Sequence, residues 1–152
     1  MKIILKKTMS MIVLCCASLL ANAAERPALE LLGSEQTKAL GLPFSEAVAV
    51  GDLLFVSGQI GSKPDELKLV AGGVQAETRQ AMQNIIAILE RNGSSVDKIA
   101  KCTIYLSDMD QWADMNVAYL EALGTHRPAR SALGSSGLAL GGSVEIECIG
   151  VR

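Results

Sequence analysis

The chain has 152 residues, 49% of them hydrophobic, and a formal charge of -2 from 14 basic and 16 acidic side chains. That length suits one domain, and that apolar content rules out a disordered chain. Setting aside Lys2, Lys6 and Lys7, the only charges in the first 23 residues, leaves eleven bases against sixteen acids. Such a surface repels phosphate backbones, so no nucleic-acid partner is expected.

The N-terminus reads as a cleaved secretory signal over residues 1–23. The three lysines form its positive region, and Met9 to Leu20 is an apolar run too short to span a bilayer comfortably. Ala21-Asn22-Ala23 supplies small residues for cleavage, so the mature chain is expected to begin at Ala24 and to be exported, periplasmic or secreted. A retained anchor is the rival reading. Cys15 and Cys16 lie in the run, but Ile12-Val13-Leu14 before them is a poor lipoprotein signal. No later segment is long and apolar enough to cross a membrane, so none is expected to do so after cleavage.

Residues 24–42 read as a loose leader or a short edge strand, ahead of a domain over 43–152. Ala47-Val48-Ala49-Val50 and Leu53-Leu54-Phe55-Val56 flank Gly51-Asp52, which predicts a hairpin. Gly61 to Gly73 is polar and reads as a surface excursion. Val74 to Arg91 carries Ala81, Met82, Ile85, Ile88 and Leu89 at helical spacing, and Asn92-Gly93 supplies its C-cap. Ile99 to Leu106 predicts a strand. Asp108 or Asp110 can cap a second helix bearing Trp112, Met115, Tyr119, Leu120 and Leu123, which Gly124 ends. Ser131-Ala132-Leu133 is strand-like, Gly134 to Gly142 reads as a flexible turn, and Ser143 to Val151 predicts the last strand. The order is hairpin, helix, strand, helix, strand. This is α+β, with helices on one face of a mixed sheet. Strands as apolar as Leu53 to Val56 point to burial of both faces and to a partner subunit.

Several chemistries lack parts. His126 is the only histidine, so no His-rich metal site can form, and a triad would have to use this residue from a loop where exposure is expected. There is no phosphate-binding glycine loop, and 3% aromatics offer no base-stacking platform. No metal or cofactor is therefore expected. Cys102 and Cys148 sit in apolar strand-like runs. An exported protein can hold a disulfide, but the runs favour two free, buried thiols.

Three polar positions stand out. Period-two alternation over the last strand puts Val144, Ile146 and Cys148 on one face, and Glu145 and Glu147 beside Ile149 and Val151 on the other. This face is either a solvent face or a carboxylate site. Asn116 falls on the apolar stripe of its helix, where a local backbone hydrogen bond is the plain alternative to a ligand contact. Arg130, behind Pro128 on a stiff strand edge, suits carboxylate binding or a surface salt bridge.

Four segments in register resemble the Rid family of reactive-intermediate deaminases, also called the YjgF or endoribonuclease L-PSP family. They are Pro43-Phe44-Ser45 leading to Gly51 through Ile60; Thr78-Arg79-Gln80-Ala81 through Asn84; Asp108-Met109 through Asn116 and Tyr119; and Arg127-Pro128-Ala129-Arg130-Ser131 ending in Val144-Glu145-Ile146-Glu147. The resemblance implies a chorismate-mutase-like fold, a mixed sheet with two helices packed on one face. It also implies a homotrimeric barrel with ligand sites between subunits. The implied activity is cofactor-free hydrolysis of enamines and imines, such as 2-aminoacrylate and 2-iminobutyrate, to 2-keto acids and ammonia. Arg130 then stands as the carboxylate-binding arginine and Glu145 as the glutamate that activates water. Ser57 and Gly58 match the strand lining the cleft, and Asn116 matches a polar cleft residue. Phe44 stands where the deaminases usually have Tyr, and Ala132 where they often have Cys. The missing Phe44 hydroxyl weakens the deaminase reading against two others: a non-catalytic trimer that binds small carboxylates, and a ribonuclease. The ribonuclease ranks last, given the acidic chain and a single peripheral histidine.

Overall fold

A computed structural model describes residues 28–152. The predicted signal over 1–23 and the first residues of the leader lie outside the described residues. The elements are β1 (Leu29–Leu32), α1 (Glu35–Ala39), β2 (Ala47–Val50), β3 (Leu53–Ile60), α2 (Gly73–Arg91), β4 (Ile99–Leu106), α3 (Trp112–Leu123), β5 (Ala129–Gly134) and β6 (Val144–Val151). The strands form one sheet in the order β1-β2-β3-β6-β4-β5. Neighbours are antiparallel except β4 and β5, which run parallel because α3 carries the chain back between them.

The predicted hairpin is β2–β3. Val50 faces Leu53, which leaves Gly51-Asp52 as a two-residue loop. Gly51 has φ 59, the left-handed backbone that a twist-matched turn needs and that a side chain would resist. The helical spacing over 74–91 gives α2, whose Met82, Ile85 and Leu89 are fully buried. They pack with Met115, Tyr119 and Leu123 of α3 against Leu54, Ile104 and Ile146 of the sheet. The alternate residues Leu53, Phe55 and Val151 leave the opposite face more than a third exposed. Helices therefore cover one face only, as expected, although α1 adds a third, five-residue helix.

Residues 28–42 of the leader form a strand, a helix and a turn. β1 pairs with β2 as an edge strand. Glu46, 7% exposed, anchors the following turn. Its carboxylate accepts from Ser34 N at 2.7 Å, Ser34 Oγ at 3.0 Å and Thr37 Oγ1, and pairs with Arg91 Nη2 at 2.7 Å. Burial pushes this carboxyl up, but the hydrogen bonds and the Arg91 charge outweigh it and hold Glu46 below the usual carboxylate range.

The cysteines correct the sequence reading. Cys102 and Cys148 are joined in a disulfide. Both lie on the buried face as expected, 1% and 2% exposed, but they are also direct cross-strand neighbours in the β4/β6 ladder. Their Cα atoms are 4.1 Å apart, close to the spacing of a non-hydrogen-bonded antiparallel pair. Apolar context predicts burial; register decides pairing. Among the described residues, no helix is long and apolar enough to cross a membrane.

Candidate active site

The last strand carries Glu145, on the side of β6 opposite Val144 and Ile146. Its neighbour β3 is irregular here. Val56 faces Cys148 and Gln59 faces Ile146, so Ser57 and Gly58 form a bulge. A Cβ at Gly58 would collide with the Glu145 carboxylate. Glycine at this position is what lets the carboxylate lie against the β3 backbone. Burial, reinforced by the charge of Glu147, pushes the Glu145 carboxyl above the ordinary glutamate range. Glu145 lines a cavity of about 440 Å³ together with Phe44, Gly58, Asn84 and Arg91.

The raised carboxyl has consequences for pH. Its folded-state pKa exceeds the unfolded one, so its contribution to stability is complete below the unfolded pKa and is lost as pH rises through the folded value. Glu147→Gln removes the second cause of the shift. If Glu145 acts as a base, the acid limb of the kcat/KM–pH profile should then move to lower pH. An unmoved limb would place the titrating base elsewhere.

Arg130 sits on the other side of the sheet. It is in register with buried Cys102, and its guanidinium carbon lies 5.6 Å from the Trp112 ring centre and 5.3 Å from that of Tyr119. Nη1 donates to Asn116 Oδ1. Asn116 therefore positions the arginine and does not spend its side chain on local backbone. Arg130 makes no salt bridge with the described residues. Two aromatic faces and one amide hold the planar fork, leaving the rest of it available to an anion.

The site residues thus divide into two groups. Phe44, Gly58 and Glu145 come together at the cavity, whereas Arg130 and Asn116 meet on the α3 side and do not line it. Ala132, on β5 with Arg130, packs against the core. Ser57 is not in the cavity lining. Its hydroxyl donates to Ser45 O at 2.7 Å and its N–H to Glu46 O at 2.9 Å, tying the bulge to the approach to β2. His126 is half-buried and not exposed as expected; Nε2 donates to Ile99 O at 2.7 Å. Trp112 and Tyr119 read as core in the sequence. Their role around Arg130 was missed because it depends on the β5/α3 contact, although their shared helical stripe with Asn116 was a usable signal. Among the described residues, no cluster of His, Cys, Asp and Glu could hold a metal ion.

Residues 36–152 match the endoribonuclease L-PSP family. The chain belongs to that family. The L-PSP relatives include Protein HMF1 of Saccharomyces cerevisiae, 39% identical over 115 residues, spanning 76% of this chain and 88% of the yeast protein. They also include the 2-iminobutanoate/2-iminopropanoate deaminase of Bos taurus, 38% identical over 110 residues, spanning 72% of this chain and 80% of the bovine one. Among solved structures, the yjgF gene product of E. coli superposes with a TM-score of 0.72 at 31% identity, covering 81% of this chain and 98% of that one. The mixed sheet with its helical layer is therefore the L-PSP fold, and the family contains imine deaminases.

Proposed function

We propose that this L-PSP protein hydrolyses imines and enamines of 2-amino acids to 2-keto acids and ammonia, in sites assembled between subunits of a homotrimer. The observation that carries this reading is Arg130, a guanidinium held by Asn116 and two rings with no acidic partner among the described residues. A carboxylate pairs with such a fork through two parallel hydrogen bonds. The deaminase named among the relatives supports the same chemistry. The bare sheet face bearing Leu53, Phe55 and Val151 supports association, because an apolar face of that kind needs cover.

The reaction needs little beyond orientation. With the carboxylate fixed by Arg130, the imine carbon faces a water held by Glu145. Glu145 takes a proton as the water oxygen bonds to carbon, and delivers a proton to nitrogen. The hydroxyl of the resulting carbinolamine then passes its proton, through Glu145, to the amino nitrogen as the C–N bond breaks, so the keto-acid carbonyl forms and ammonia leaves. An enamine first gains a proton at its β-carbon and loses one from nitrogen to become the imine. Desolvation raises the Glu145 carboxyl above the ordinary glutamate range, which makes it a better base toward the water and leaves it able to return the proton to nitrogen.

An assay with imines generated by an amino-acid oxidase tests this directly. Wild type should accelerate keto-acid formation. Arg130→Ala should weaken keto-acid binding tenfold or more, on the order of 1.5–3 kcal/mol for a charge-assisted pair. Arg130→Lys should recover only part, because an ammonium lacks the planar fork. Binding without turnover would favour the small-carboxylate-binding trimer, the reading that the absent Phe44 hydroxyl supports. The ribonuclease reading has the weaker support, since His126 spends Nε2 on the Ile99 carbonyl and does not line the cavity beside Glu145.

We further propose that the protein is exported, with cleavage before Ala24. The lysine-led apolar N-terminus and the Cys102–Cys148 disulfide support this, because such bonds persist in oxidising compartments. N-terminal sequencing of the secreted or periplasmic fraction should begin at Ala24; recovery of the uncleaved chain with membranes would point to an anchor.

A further inference from the structure

The cavity beside Glu145 has a chemical character that the reaction itself does not demand. Five charged side chains line it: Glu46, Lys63, Glu66, Arg91 and Glu145. Four of them pair with one another. Arg91 meets Glu46 at 2.7 Å, and Lys63 meets Glu66 at 3.6 Å. The amide of Asn84 is also spent, donating to Ser62 O at 2.8 Å and accepting from Gln80 Nε2 at 2.9 Å. Glu145 is the one charged lining group without a partner among the described residues. Beside these groups and a few small or polar residues, among them Thr37, Gln59 and Ser62, the large side chains of the wall are apolar and include Leu40, Leu42, Phe44, Ile60, Leu67 and Leu140.

Three of those side chains are held by specific features of the backbone, one of them at a cost. Leu140 is the one described non-glycine residue with positive φ, at 56, in the turn before β6. A leucine there is strained where glycine would not be, and such strain tends to persist where a side chain has work to do. Leu40 and Leu42 lie in the turn that Glu46 anchors through Ser34 and Thr37. A part-buried ionic cluster thus holds an apolar wall over the cavity.

We propose that this wall is the side-chain pocket, and that the substrate is an imine or enamine of a large apolar 2-amino acid, of leucine or phenylalanine type. This rests on the imine-hydrolase reading and narrows it. Small substrates such as 2-iminopropanoate would leave most of the wall in contact with water. A branched or aromatic side chain would cover it and gain the free energy of desolvating both surfaces. Along the wall itself a charged side chain would find only charges already paired, Arg91 with Glu46 and Lys63 with Glu66; the one unpaired group among the described residues, Glu145, is the carboxylate that the reaction uses.

Keto-acid binding by calorimetry reads the pocket without requiring turnover. 4-Methyl-2-oxopentanoate and phenylpyruvate should bind the wild-type protein at least about tenfold more tightly than pyruvate. Leu140→Gly should relieve the left-handed strain, leave the thermal midpoint unchanged or higher, and shrink that preference severalfold with little effect on pyruvate. Leu42→Ala should shrink it likewise. The oxidase-coupled rates should rank the imines in the same order. Equal affinity for the three acids, or a preference that survives both substitutions, would overturn the proposal and leave the wall as a surface filled by a neighbouring subunit. Loss of imine hydrolysis for every substrate with the binding preference intact would instead overturn the hydrolase reading and keep the pocket.

Discussion

Reduction of the denatured protein should release two thiols per chain that the unreduced protein lacks, and peptide mapping should assign them to Cys102 and Cys148. The bond links residues 46 apart in sequence, across the central β4/β6 pair. Closing a loop of that length removes denatured-state entropy worth about 4 kcal/mol in the chain-entropy account, with measured bonds more often giving 2–4. Replacing the pair by Cys102→Ala with Cys148→Val roughly preserves buried volume. It should lower unfolding free energy by about 3 kcal/mol, read as a fall in the urea midpoint. The loss matters to the site because β6 carries Glu145, and β4 is the neighbour of the strand that carries Arg130. An equal thiol count with and without reductant would show that the sulfurs are neighbours and not partners.

The second large effect is complementation between inactive subunits. Arg130→Ala and Glu145→Gln should each reduce imine hydrolysis severely when assembled alone. Unfolded together in equal amounts under reducing conditions, refolded and reoxidised, they should regain activity. In a cyclic trimer whose sites each take Arg130 from one subunit and Glu145 from the next, random mixing restores about a quarter of the sites. The expectation follows from the division of the site. In one chain Glu145 lies against Gly58 and the cavity, whereas Arg130 is held by Asn116, Trp112 and Tyr119 and does not line it. A site drawn from a single chain predicts no recovery, since each subunit lacks one of the two groups. Mixed assemblies that remain as inactive as the parents would therefore remove the intersubunit site.

The sequence by itself determined the elements and their faces. The 3.6-residue spacing of Ala81, Met82, Ile85, Ile88 and Leu89 has one physical solution, an amphipathic helix, and alternation over 144–151 similarly fixes which side chains of β6 are buried. Gly51-Asp52 determined the hairpin, since a glycine at the first of two loop residues adopts the positive φ that a twist-matched two-residue turn needs. The residue types at Arg130 and Glu145 were also legible: a fork suited to carboxylates, and an acid among apolar neighbours. Tertiary structure alone decided how these parts meet. Parity says that Cys102 and Cys148 are buried, but only the β4/β6 register sets them opposite one another, because pairing depends on how two distant strands slide past each other. The rings around Arg130 come from α3 folding back between two parallel strands. The space for the Glu145 carboxylate comes from a bulge at Ser57-Gly58 that no local pattern announces. Local periodicity fixes what a residue faces; long-range register fixes which residue it meets.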